Sequence, residues 1–206
     1  MKMEKELLRK TASINEDVKT ISSLAFGIRV KALNSIILSV HAGIAARGFG
    51  VVAQEIIVFS KATSKTTEEL TKVMYSLSRE ASFQVKNRIA FEKAKKIENY
   101  GNKSKALLQM IESFESKERN FEKATLSIQN AMVHRTKNLI RQCLDGKVIS
   151  LQAKIESEYI GVNKAKAGDV AEKFSAAIDS IENLAKKVLD GWKNEKNGND
   201  IFQSRL

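Results

Sequence analysis

Not one of the 206 residues is proline. Proline lacks an amide donor and clashes with the preceding helical turn, so a chain without it can run long helices with no enforced break. Reversals must then come from glycine, and there are ten. Three of them, Gly43, Gly48 and Gly50, fall within eight residues. Glycine enters the left-handed backbone of a tight turn without steric cost, yet costs about 1 kcal/mol inside a helix. Their clustering predicts a reversal near residues 43–48.

On either side of that point the apolar residues follow helical spacing. Over residues 4–42, Leu7, Ile14, Val18, Ile21, Ala25, Ile28 and Ala32 recur at intervals of three and four or their sums, a seam that faces a bundle. Near the tip the apolar surface widens to Leu33, Ile36, Ile37, Leu38 and Val40, which predicts burial of an outer face, most simply by self-association. Residues 49–98 read as the returning helix, with Val52, Ile56, Phe59, Thr63, Thr66 and Leu70 keeping the alternation. Gly101 between Asn99 and Asn102 marks the next break. Residues 104–144 form a third helical pattern around Leu107, Ile111, Phe114, Ile128 and Leu139, and Asp145-Gly146 reads as a further turn. A fourth pattern over 148–193 carries Ile155, Tyr159, Phe174, Ile178, Ile181, Val188 and Trp192, and the polar stretch from Asn194 is expected to fray.

Two long helices alone leave an apolar face uncovered. The expected fold is therefore all-α: long antiparallel helical hairpins forming a four-helix coiled-coil bundle. Residues 1–98 make the first hairpin with its tip near 43–48, and residues 99–206 make a second hairpin that completes the bundle. A fainter echo, Ala165-Lys166-Ala167-Gly168-Asp169 followed by Phe174, reads as a worn copy of the first tip and places the second turn near 168 instead of 145.

The wording around the glycines says more than a corner requires. Ala25, Phe26, Ala32, Leu33, Asn34, Ala42, Gly43, Arg47, Gly48, Phe49, Val51, Val52, Ala53 and Glu55 stand at the spacing of one known pattern, over roughly residues 21–64. That stretch resembles the cytoplasmic signalling tip of bacterial methyl-accepting chemotaxis receptors. The resemblance implies that Leu33, Asn34, Arg47, Phe49 and Val51 dock a chemotaxis adaptor protein and histidine kinase. It also implies self-association at Phe26, Val30, Leu38 and His41, with Gly43, Gly48 and Gly50 forming the turn. Leu38 and His41 replace a glutamate and an arginine of the family, Ile44 replaces a second acidic residue, and Gly27-Ile28-Arg29 replaces Gln-Thr-Asn. Those changes put the family's assembly of receptor dimers in doubt more than its partner docking. Glu68 and Glu69 read as solvated charge, not as methylation sites.

Composition narrows the alternatives. The single Cys143 excludes an internal disulfide and, in an apolar-rich stretch, reads as a buried thiol. His41 and His134 are too few and too scattered for a metal site, and no phosphate-cradling loop or nucleophile elbow is present, so no cofactor and no enzyme activity are expected. A net charge of +11 raises the question of nucleic acid. The lysines carry no interleaved aromatic platform, however, and read as solvated helix faces. No segment reads as the ~20 apolar residues of a membrane span, and the charged start is no signal peptide. With the opening methionine, that favours a cytoplasmic protein over a fragment of a membrane receptor. The function expected is binding that biases a partner's activity, the alternative being a structural or self-associating bundle that has lost kinase coupling.

Overall fold

The computed structural model describes residues 2–99 and 104–193. Four α-helices follow one another: α1 (Lys2–Ala42), α2 (Arg47–Asn99), α3 (Lys105–Ser157) and α4 (Lys164–Lys193). Short 3-10 turns at Gly43–Ala46 and Gly161–Asn163 join the first pair and the last pair. No strand occurs among the described residues. Each 3-10 turn opens on a glycine with positive φ, Gly43 at 76° and Gly161 at 64°, the left-handed conformation that ends a helix most cheaply with glycine. At the start of α3, Ser104 caps the helix, its Oγ accepting the Leu107 amide at 3.2 Å.

The helices pack in cyclic order: α1 on α2, α2 on α3, α3 on α4, and α4 back on α1. α1 and α3 therefore stand on one diagonal. The four–three alternation decides what goes inside. Along α4, Ala167, Ala171, Phe174, Ile178, Ile181, Ala185, Val188 and Trp192 are all buried. Ile14, Val18, Ile21, Ala25, Ile28 and Ala32 do the same for α1. Small residues let the backbones approach closely, as where Ser60 Oγ donates to the Ala25 carbonyl at 2.8 Å between α2 and α1. An ion pair from Lys187 to Asp17, 2.9 Å, ties α4 to α1 near the end away from the turns.

The arms are unequal. α2 and α3 have 53 residues each, α1 has 41 and α4 has 30. At ~1.5 Å per residue, α2 and α3 run roughly 80 Å and α4 roughly 45 Å. The distal ends of α2 and α3 form their own small cluster of Ala94, Leu107 and Ile111, flanked by Phe91 and Phe114. The two rings meet edge to face, with centroids 6.1 Å apart.

Two expectations about the second half need correction. Asp145-Gly146 is no turn, since α3 runs straight through it. Gly146 is buried where the Phe59 ring of α2 leans in, and a Cβ there would come within 2.8 Å of that ring. The glycine serves close helix packing. Nor does the chain reverse at 168, because Gly168 lies inside α4 and the reversal falls at residues 158–163. The break expected at 98–103 falls partly outside the described residues, as does the polar run from Asn194.

The membrane expectation also changes. Glu6–Asn99 contains an 18-residue window of mean hydropathy 1.7, long and apolar enough by composition to cross a membrane, and only 28 % of it is buried. The most apolar run in that stretch, from Ile36 to Ala53, is folded back on itself at Gly43.

Candidate functional site

Both turns lie at one end of the bundle. Glu156, at the end of α3, lays its carboxylate over Gly48 in the first turn of α2, so closely that a Cβ on Gly48 would overlap it. A carboxylate beside a helix N-terminus is also favoured by the helix dipole. Gly50 has a similar role against α1, where a Cβ would stand 2.5 Å from Ser39 Oγ. Of the three turn glycines, only Gly43 is needed for its backbone angle. The other two make room for neighbouring side chains.

The expected partner-docking residues separate into two groups. Leu33, Asn34, Arg47 and Val51 are exposed, the first two near the end of α1 and the others at the start of α2. Phe49 is 1 % exposed and belongs to the core. It anchors the turn from inside and presents nothing to a partner directly. Arg47, two residues away, points its charge into solvent beside that anchor.

The expected self-association residues also divide. Phe26 (65 % exposed) and Val30 lie on the outer surface and His41 is exposed, but Leu38 is half-buried and packs against the core. Leu38 follows the inward flank of α1. The outward face is instead made by Phe26, Val30, Leu33, Ile37 and Val40, at spacings of four, three, four and three, with Ile44 exposed in the turn beyond. This is a second heptad stripe on α1, nearly opposite the core seam. Leu33 belongs to it geometrically. Ile37, Val40 and Ile44 were missed as site residues, although their spacing was readable.

A stripe on α3 was missed altogether. Leu144, Val148, Leu151 and Ile155 are exposed at intervals of four, three and four, and Val162 follows beyond the turn. The break assigned to Asp145-Gly146 had cut this stripe in two. Inward of it, among the described residues, lies a charged cluster with clear electrostatic consequences. Lys147 bridges Asp179 at 2.9 Å and Glu182 at 2.5 Å on α4, and Lys186 also reaches Glu182 at 2.5 Å. The hydrogen bond from Lys147 holds the Glu182 carboxyl below its usual range, and the Lys147 ammonium is raised in return. Burial, with the Glu182 charge second, pushes the Cys143 thiol up to about 12. Such a thiol stays protonated and structural.

No family model matches the chain, and no solved structure matches it significantly. Among curated proteins it is similar to the methyl-accepting chemotaxis protein McpS of Pseudomonas putida, at 37 % identity over 71 residues. The aligned part is 34 % of this chain and 11 % of that protein. This likeness supports a relationship to the methyl-accepting chemotaxis proteins for about a third of the chain.

Proposed function

We propose that this chain is a cytoplasmic, chemoreceptor-like signalling bundle whose hairpin tip docks the adaptor protein and histidine kinase of a chemotaxis-type pathway. One observation carries the reading. Leu33, Asn34, Arg47 and Val51 are all exposed around a glycine reversal, two apolar and two polar groups held by rigid helices. Apolar contact supplies affinity. The Arg47 guanidinium supplies orientation, since its planar fork of donors matches a carboxylate better than a lysine would. Phe49 fixes the turn from within, so that Arg47 and Val51 leave α2 at defined angles. The chain acts by binding that biases its partner's activity and carries out no catalysis of its own.

Binding of the purified protein to an adaptor and kinase from its own host tests this directly, with wild type compared against Arg47→Glu. Saturable wild-type binding that the substitution weakens at least tenfold, about 1.4 kcal/mol, with helicity unchanged, is the expected result. An absence of wild-type binding at tens of micromolar would sink the proposal.

The outward stripe on α1 favours a second reading, a self-associating bundle that has lost kinase coupling. Five apolar residues along one solvent-facing helix edge are more than isolated surface hydrophobics would explain. That reading predicts association of the protein with itself and indifference to Arg47→Glu.

A further inference from the structure

The two hairpins superimpose in sequence at one offset. Gly161, with φ 64°, stands 118 residues after Gly43, with φ 76°. The same offset carries the close Ser39–Gly50 approach of the first hairpin onto Ser157 and Gly168 of the second, where a Cβ on Gly168 would stand 3.9 Å from Ser157 Oγ. It carries Phe26, Val30, Leu33 and Ile37 onto Leu144, Val148, Leu151 and Ile155. The second copy has not kept the docking residues, for Arg47, Phe49 and Val51 correspond to Ala165, Ala167 and Asp169. What it has kept is an exposed apolar face for which folding supplies no reason. The outward face of α4, by contrast, is polar, with Asp169, Lys173, Ser180 and Asn183 exposed.

We infer that the outer face of α3, centred on Val148 and Leu151, is a docking surface for a second copy of this chain, which seats its α1 stripe there. Three observations point to this occupant. Over residues 26–37 and 144–155 the two stripes have the same spacing and height above their turns, so a neighbour standing parallel with its turns at the same end meets stripe with stripe. They lie on diagonal helices and so face opposite ways, which leaves each copy one α1 face and one α3 face to offer. Their flanking charges are complementary. At 100° per residue, Arg29 and His41 fall on opposite borders of the α1 stripe, and Asp145 and Glu158 on opposite borders of the α3 stripe. Parallel seating brings Arg29 to Asp145 of the neighbour and His41 to Glu158 of the neighbour, each pair within two residues of equal height; Glu158 also pairs with Lys164 of its own chain, so the Arg29–Asp145 pairing is the stronger of the two. All four are exposed. An α1-to-α1 contact makes neither pairing. A contact between unlike faces on opposite sides does not close on itself, so association continues into rows.

The inference is independent of the reading of Arg47 and its partners. The test is sedimentation velocity of the full chain across a concentration series up to roughly 100 μM, which reaches affinities of about 5 kcal/mol and tighter. Wild type should grow past dimer. Two double variants at exposed positions, Phe26→Glu with Ile37→Glu and Val148→Glu with Leu151→Glu, should each remain monomeric alone with helicity unchanged. Their equimolar mixture should form one-to-one dimers and stop there, because each still carries one intact face. A Val148/Leu151 variant that associates like wild type overturns the assignment, and so does a wild type that stays monomeric throughout. Wild-type monomer whose adaptor binding is lost in the Val148/Leu151 variant would overturn it too, by assigning the face to that partner.

Discussion

At the scale of single residues the glycines separate by mechanism. Gly27 sits within α1 and a Cβ there would meet nothing within 4 Å. Gly27→Ala should stabilise the protein by up to about 1 kcal/mol, the ordinary helix-propensity gain, read as a higher urea midpoint. Gly43→Ala also meets no atom, but its φ of 76° is left-handed, and a loss of about 1–2 kcal/mol is expected. At Gly146 the added methyl must displace the Phe59 ring, itself 5 % exposed. Overpacking of about 1–3 kcal/mol should outweigh the propensity gain there, so Gly146→Ala lowers the same midpoint. Charge makes a further prediction at this scale. Because Glu182 has its pKa lowered on folding, the unfolded chain takes up its proton at higher pH than the native one. The stability it contributes is therefore complete above the ordinary carboxylate range and lost as pH falls through the native value. Glu182→Gln should flatten the acid limb of a stability–pH curve measured by chemical denaturation.

At the scale of helices, the seam has regions of different depth. Leu139 of α3 is fully buried among four helices, and Leu139→Ala should cost about 2–5 kcal/mol. Phe91 lies in the smaller distal cluster and is only half-buried. Phe91→Ala should cost less, and hydrogen exchange should show its effect confined to the distal ends of α2 and α3. This gradient also explains which elements were legible beforehand. The seams of α1 and α2, that of α4 from Phe174 onward, and the first reversal follow from spacing and from Gly43, whereas Ile155 and Tyr159, expected on the fourth seam, are exposed before α4 begins. The α3–α4 reversal did not follow, because an Asp-Gly pair is as acceptable to a turn as to a packed helix. The choice at 146 rests on the Phe59 ring, far away in sequence.

At the scale of the whole molecule, the bundle has one end where both hairpins reverse and a distal end where α2 and α3 outrun α4. The candidate docking residues of the first hairpin all lie at the reversing end, where Glu156 laid over Gly48 joins the hairpins. Removing that contact with Glu156→Ala should leave the fold intact and loosen the tip, seen as faster amide exchange in the first turn of α2 and a weaker partner affinity. The sequence alone determined that the chain is helical, where its first hairpin turns, and that its helices carry heptad stripes, since these depend on proline, glycine and spacing within a few residues. It did not decide where the second hairpin turns. Gly146 is held inside α3 by the Phe59 ring of α2, a contact distant in sequence, and the reversal falls instead at Gly161. On α1, packing buried Ala25, Ile28 and Ala32, as their spacing predicts, and left Phe26, Val30 and Leu33 facing outward.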